Sequence, residues 1–359
     1  MKILMDARSL GVKPSGIGIY IYNLIKEISK DPEFECSLIT DVTLSNEMKE
    51  FEANGLRIYR YGKSVKKNFE LFSYYKFVQW CINDCKPDVF WEGNNLVPIR
   101  IENPYGKMIA TIHDMFPLSD PEHFGRVYPH YFRYGIRQTL KHFDILVYNS
   151  VNTKQETERF FPSAKDKQSF VGYIIVPYLE EREITDNGSF LYVGNLETRK
   201  GTDILLKAYR KYREMGGTKP LRLGGKVREE GIQKLLDETV RETQSVTYLG
   251  YLTEEDRNQE YASCSSFLFP SRAEGFGIPI IEVMNYNKPV IAGELDTLKE
   301  IVGDAITYFS LDNDPVGNLT AAMMDETVMA DAKEYRKVIE KYSSEVLCEH
   351  YKKFLRENV

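Results

Sequence analysis

The sequence predicts an α/β protein made of two tandem, doubly wound, Rossmann-like halves. Three observations lead there. At 359 residues the chain exceeds what one hydrophobic core ordinarily holds, so two domains are expected. Short apolar runs of strand length recur along it, separated by segments of helical periodicity, the alternation of a parallel sheet with crossover helices. That alternation is interrupted once, by a charged and turn-forming stretch between Val176 and Ser189.

In the first half, Ile3-Leu4-Met5 runs into Asp6 and reads as a buried parallel strand. The loop Lys13-Pro14-Ser15-Gly16-Ile17-Gly18 follows, and then a helical segment over 20–28 with Ile21, Leu24, Ile25 and Ile28 on one face. Residues 37–40, 88–91, 107–112 and 145–149 are further strand candidates. The charged run from Pro177 to Glu183 and the turn Asp186-Asn187-Gly188-Ser189 mark the boundary. A second series then starts with strand 190–193 and helix 203–213, followed by strands 221–223, 246–249, 266–269 and 289–292. The domains are therefore 1–177, 189–342, and an amphipathic terminal helix over 343–359.

Composition narrows the function. A formal net charge of −6 argues against nucleic acid as a partner. The aromatic share of 13%, with 24 Tyr, suits both sugar stacking and ordinary core packing. Five scattered cysteines give no disulfide framework; Cys81 and Cys85 read as reduced core residues, which suggests a reducing compartment. No signal-like apolar region opens the sequence, and no run reaches the roughly 20 residues of a membrane span. A cytoplasmic protein is expected, at most peripheral to the inner face of the plasma membrane.

The richest stretch runs from Phe269 to Glu282. An apolar strand feeds Pro270-Ser271-Arg272-Ala273-Glu274-Gly275-Phe276-Gly277-Ile278, and Pro279 suits the first position of a helix. Unpaired amides at a helix start favour a diphosphate, and glycines let backbone approach it closely. Glu282, about one turn further on, is placed to reach a ribose diol, and Glu274 in the loop to face a transferred sugar. Without a ligand, the same residues read as a strand–turn–helix carrying surface carboxylates.

Glu274 and Glu282 enclose seven residues. Together with Pro270-Ser271, Gly275-Phe276-Gly277, Pro279 and Lys288-Pro289-Val290-Ile291-Ala292, they resemble glycosyltransferase family 4 (group 1). The resemblance implies a GT-B architecture with an interdomain cleft and retaining transfer of a hexose or deoxyhexose, such as mannose, glucose or rhamnose. The donor would be a nucleotide-sugar and the acceptor a glycan or lipid-linked chain in surface polysaccharide assembly. It makes Glu282 the ribose ligand, Glu274, Gly275, Phe276 and Gly277 the donor-sugar cradle, and Gly194 and Ile278 further donor-binding residues. The sequence departs from the family at Asn285-Tyr286-Asn287, where small residues and a Gly are usual.

Three other stretches fit the same picture. In Tyr192-Val193-Gly194-Asn195-Leu196-Glu197-Thr198-Arg199-Lys200-Gly201, two cations stand beside a helix start and suit the charge on a departing diphosphate. Taken alone they also read as a solvated basic turn. The stretch resembles a family variant with adjacent Arg and Lys; the commoner form has Arg where Asn195 stands. His113-Asp114 ends a strand of the first half, where His113 is a candidate for proton transfer or hydroxyl binding and Asp114 for orienting it or for binding acceptor. Gly16 and Gly18 resemble a family loop bordering the donor phosphates. The dinucleotide fingerprint would need a small residue at Ile21, which disfavours a nicotinamide oxidoreductase.

No metal or other cofactor is expected: helix dipole and cations would carry the charge. Asp312-Asn313-Asp314 before Pro315 reads as a turn. Lys63, Lys66 and Lys67 ahead of Phe69, Phe72 and Trp80 offer a peripheral membrane contact, although a helix covering the sheet is the favoured reading. The rival from another class is a non-catalytic sugar-nucleotide-binding protein.

Overall fold

A computed structural model describes residues 1–11, 16–42, 44–65, 70–180 and 182–359. The chain divides into two compact units, Met1–Pro177 with Tyr342–Val359, and Tyr178–Lys341.

The first unit alternates strand and helix: β1 (Lys2–Asp6), α1 (Gly16–Ile28), β2 (Glu35–Thr40), α2 (Asn46–Ala53), β3 (Arg57–Arg60), α3 (Leu71–Cys85), β4 (Val89–Glu92), β5 (Lys107–Ile112), α4 (Phe116–Ser119), α5 (Tyr128–His142), β6 (Ile145–Tyr148), α6 (Val151–Phe160) and β7 (Gln168–Val171). The strands form one parallel sheet in the order β3-β2-β1-β4-β5-β6-β7. Its central strands are covered on both faces, which is why they read as unbroken apolar runs. On one face α3 contributes Tyr74, Tyr75 and Val78, and α5 contributes Phe132, Ile136 and Leu140. The helix α3 covers the sheet, with Phe72 and Trp80 left exposed; Lys66, Lys67 and Phe69 lie outside the described residues. All five cysteines carry free thiols.

One expectation changes here. The loop expected at Gly16 and Gly18 is helix instead: α1 starts at Gly16, so both belong to its first turn, and Gly18 is buried. The apolar stripe of Ile21, Leu24, Ile25 and Ile28 extends back to Ile17, and helix formation follows it. Lys13, Pro14 and Ser15 lie outside the described residues.

The second unit runs β8 (Phe190–Val193), α7 (Thr202–Glu214), β9 (Leu221–Gly224), α8 (Glu230–Thr243), β10 (Val246–Gly250), α9 (Glu254–Ser263), β11 (Ser266–Phe269), α10 (Ile278–Met284), β12 (Val290–Gly293), α11 (Asp296–Val302), β13 (Thr307–Phe309), α12 (Pro315–Met324) and α13 (Ala332–Lys341). Its parallel sheet is ordered β10-β9-β8-β11-β12-β13. Chain direction across the sheet reverses between β8 and β11, as it does between β1 and β4 in the first unit. In such sheets the crevice beyond the strand ends at the reversal is where ligands bind.

The unusual Asn285-Tyr286-Asn287 has a local explanation. Asn285 donates from Nδ2 to the Ile281 carbonyl (2.9 Å), and the Tyr286 hydroxyl reaches the Glu180 carbonyl (3.3 Å). Asn287 takes the left-handed conformation, φ 51°, that Asn tolerates better than other non-glycine residues. Asp312-Asn313-Asp314 is a turn, and the Asp314 carboxylate caps α12 by accepting from the Gly317 amide (2.8 Å). The last helix, α14 (Ser344–Asn358), packs within the first unit. There Phe354 stacks on Phe170, and the Tyr351 hydroxyl donates to the carbonyls of Gly172 (2.7 Å) and Tyr173 (3.0 Å).

Candidate active site

At the reversal point of the second unit, the β8–α7 and β11–α10 loops lie against each other. Gly201 has φ 68°, and a Cβ there would fall 1.9 Å from the Pro270 carbonyl oxygen, so only glycine admits this contact. The Arg272 amide donates to the Arg199 carbonyl (3.0 Å), and the Arg272 guanidinium spans Asp203 (2.8 Å) and the Thr198 carbonyl. Arg199 is held by Glu197 at 2.7 Å. Lys200 donates from Nζ to both oxygens of Glu274, at 2.6 and 2.8 Å. Glu274 is therefore not a loose loop carboxylate but a buried one with a fixed cation. Gly194 prolongs β8, its amide donating to the Gly224 carbonyl (2.9 Å). Arg199, Lys200 and Glu274 are brought together by these two loops.

The helix that follows starts one residue earlier than the sequence reading places it. Ile278 is its first residue, Gly277 its cap at φ 99°, and Pro279 its second position. A Cβ on Gly277 would meet Leu298 at 2.7 Å, so close packing and left-handed backbone both demand glycine. The Phe276 side chain is buried in the unit's interior. Gly275 is partly exposed beside it.

Glu282 is buried on α10 and held by two residues of α9. Tyr261 donates its hydroxyl to Oε2 (3.0 Å), and Arg257 Nη2 lies 3.2 Å from Oε1. Burial pushes the Tyr261 hydroxyl well above its ordinary pKa, so it remains a donor at neutral pH. An ionised carboxylate offers about four acceptor positions. The two contacts orient Glu282 without exhausting it.

Sequence reasoning missed Arg257, Tyr261, Arg272 and Asp203. Arg257 and Tyr261 stand one helical turn apart on α9, a weak signal in a helix with many polar residues. Arg272 lies inside the quoted loop, but its pairing with Asp203 depends on a tertiary contact that spacing does not reveal.

His113 and Asp114 follow β5 in the first unit. His113 is buried, and its Nε2 shares a 2.9 Å hydrogen bond with the Gly93 carbonyl, so Nε2 carries the proton. Its ring meets Tyr20 edge-on. Burial lowers its pKa to about 4, which makes it a weak base and favours hydroxyl binding through Nδ1 over proton transfer. Asp114 Oδ1 accepts from the Phe116 amide (3.3 Å). Because an unfolded histidine titrates near 6.5, the unfolded chain binds the extra proton between that value and about 4. The stability from neutral His113 is thus complete above pH 6.5 and lost as pH falls toward 4. Thermal unfolding between these pH values should fall more steeply for wild type than for His113→Asn; parallel curves would contradict this.

Among the described residues, no group of three or more His, Cys, Asp and Glu side chains is arranged to hold a metal ion. No described helix is long and apolar enough to cross a membrane.

Residues 187–325 match the family model "Glycosyl transferases group 1". O-antigen chain mannosyltransferase B of Escherichia coli is 26% identical over 333 residues, covering 85% of each chain. The family match identifies a group 1 glycosyltransferase domain over residues 187–325. This glycosyltransferase shares its fold with Anabaena Alr3699/HepE, solved in complex with UDP-glucose (TM-score 0.76, 16% identity, 99% of this chain and 100% of that one). The lipopolysaccharide outer core galactosyltransferase WaaB is similar at TM-score 0.68 and 17% identity, with both chains fully covered. The architecture is GT-B, and the chain is a glycosyltransferase.

Proposed function

We propose that this glycosyltransferase moves a mannosyl group from a nucleotide-activated mannose to a glycan or lipid-linked acceptor, with retention at the anomeric carbon and no metal ion. The observation that carries the reading is the convergence of Lys200, Arg199 and Glu274 at the strand reversal of the second unit, beside the glycine-capped start of α10. Mannose as the sugar is supported by the related mannosyltransferases.

Glu282 takes the ribose diol. The amides of Gly275, Phe276, Gly277 and Ile278 line the donor sugar and diphosphate, with Gly194 on the opposite loop. Lys200, supported by Arg199, meets the charge that grows on the diphosphate as the glycosidic bond breaks. Glu274 fixes Lys200 before the donor arrives and then accepts from sugar hydroxyls. It is not assigned as a covalent nucleophile: the departing phosphate takes the acceptor's proton and the acceptor enters from the same face. His113 and Asp114 serve the reaction by holding hydroxyls. The protein acts in the cytoplasm, at the inner face of the plasma membrane.

The test is a thermal-shift screen of GDP-mannose, UDP-glucose, dTDP-rhamnose and an ADP-sugar, since a bound donor raises stability by mass action. NMR of the product from the stabilising donor then reads the anomeric configuration. Stabilisation by GDP-mannose and an α-linked product are expected; a β-product would overturn retention, and stabilisation only by another sugar nucleotide would overturn mannose. Excess EDTA should leave turnover within about twofold, because cations and amides carry the charge that a metal would otherwise neutralise. Activity lost to EDTA and restored by Mg²⁺ would contradict the metal-free mechanism.

A further inference from the structure

The backbone that presents Arg199 and Lys200 is a single 3-10 turn, Thr198–Lys200. So short a turn closes few hydrogen bonds of its own and needs tertiary contacts to hold it. Glu197, the residue before it, does not cap it through its side chain; that carboxylate holds Arg199 instead. The grip on the turn comes from the loops on either side.

On one side runs the β9–α8 loop. It joins the β8–α7 loop in a short parallel bridge, the Leu196 amide donating to the Lys226 carbonyl (2.8 Å) and the Arg228 amide to the Leu196 carbonyl (3.0 Å). Gly225 permits this approach: at φ 135°, a Cβ there would fall 1.8 Å from the Gly194 carbonyl oxygen. The loop ends at Glu229, the N-cap residue of α8. Glutamate is not among the residues favoured at an N-cap, and this side chain makes no cap bond to its own helix. It turns sideways. Oε1 accepts from the Thr198 amide (2.9 Å) and Oε2 from the Thr198 hydroxyl. One carboxylate thus caps the neighbouring turn, through the free amide and the side chain of its first residue. From the other side Arg272 donates to the Thr198 carbonyl, so the amide, hydroxyl and carbonyl of Thr198 are all engaged. Strands β9, β8 and β11 are neighbours in the sheet, and the loops that leave them meet at this residue.

Lys200 stands two residues further on. Before the donor arrives, Glu274 fixes its ammonium. Once that carboxylate also serves the sugar hydroxyls, the backbone of the turn must keep the cation in place. A charge that stabilises a transition state has to be held within about 0.5 Å of its productive position. We infer that Glu229 and Thr198 are positioning residues for sugar transfer: their paired hydrogen bonds hold the turn from which Lys200 meets the diphosphate. They act through Lys200, and the inference rests on the role proposed for that residue.

The experiment compares Thr198→Val, Thr198→Ser and Glu229→Gln, each in wild type and in the Lys200→Met, Glu274→Gln protein. Valine keeps the branched shape of threonine and removes the hydroxyl. Hydrogen–deuterium exchange without ligand reads the turn itself. Amides of residues 198–201 should exchange about tenfold faster in Thr198→Val, with β8 and β11 unchanged. GDP release from GDP-mannose, with an α-linked mannobiose as acceptor, reads transfer. Thr198→Val should lower kcat roughly tenfold, the loss of one hydrogen bond to a charged group, and leave KM for GDP-mannose within about threefold. Thr198→Ser, which restores the hydroxyl, should recover most of both losses. Glu229→Gln should have a smaller effect, because glutamine still offers the Thr198 amide an acceptor. In the Lys200→Met, Glu274→Gln background Thr198→Val should cost nothing more, whereas a contact that serves only folding would lower kcat in both backgrounds. Unchanged exchange in Thr198→Val, unchanged kcat, or the same tenfold loss in both backgrounds overturns the inference. Full turnover by the Lys200→Met, Glu274→Gln protein overturns the role of Lys200 instead. A wild type inert toward GDP-mannose overturns the mannosyl reading, and the exchange rates then decide whether Thr198 and Glu229 hold the turn.

Discussion

Replacing Lys200 by alanine should lower kcat roughly 10²–10³-fold, the usual effect of deleting one preorganised group that meets transition-state charge. The donor's diphosphate gains charge as the glycosidic bond breaks, so a cation beside it does more in the transition state than in the ground state. Donor affinity should fall by a smaller factor. The complication is Glu274, which Lys200 holds through both oxygens and which is 8% exposed. Removing its cation leaves a buried carboxylate unpaired and destabilises the fold. The double variant Lys200→Met with Glu274→Gln separates the effects, because it removes both charges and keeps similar volume. It should recover much of the lost thermal stability and none of the lost kcat. Recovery of turnover along with stability would mean that Lys200 acts only through folding.

The parts of this molecule that the sequence made readable are those governed by local rules. Central strands buried on both faces, such as Ile3-Leu4-Met5 and Phe190–Val193, must be continuously apolar and stand out accordingly. The unread strands β3, β7 and β13 are all at or near sheet edges. Arg57-Ile58-Tyr59-Arg60 has one buried residue, and Gln168-Ser169-Phe170-Val171 and Thr307-Tyr308-Phe309 are mostly half-exposed, so their alternation is too short to distinguish from a loop. The candidate site divides the same way. Glycines with a backbone task leave a trace, as Gly201 and Gly277 show, because no other residue fits their φ and spacing. The ion pairs do not. Lys200 finds Glu274 across 74 positions and Arg257 finds Glu282 across two helices, so only the folded chain reveals which charges meet. The start of α10 slipped by one residue because Pro279 tolerates either of the first two helical positions, and the choice was made by Gly277 packing on Leu298.

Glu282→Ala should weaken nucleotide-sugar binding roughly 10–100-fold, the range for losing hydrogen bonds to a charged group. The argument starts from what already holds the carboxylate. Tyr261 and Arg257 take one position on each oxygen, and the remaining lone pairs are free to accept both hydroxyls of a ribose diol. The alanine variant also strands a buried tyrosine hydroxyl and a largely buried guanidinium, so part of any loss would come from local rearrangement. Glu282→Gln resolves this. Glutamine keeps the shape and one acceptor oxygen but places an amide where the second hydroxyl must donate, so Tyr261 stays satisfied while the diol loses a partner. Calorimetry with the nucleoside diphosphate, and with its 2′-deoxy analogue, provides the readout. Against wild type the deoxy analogue should bind more weakly than the parent; against Glu282→Gln the two should bind alike. An equal preference for the ribonucleotide in both proteins would remove the diol from Glu282, even if the alanine variant had lost all affinity.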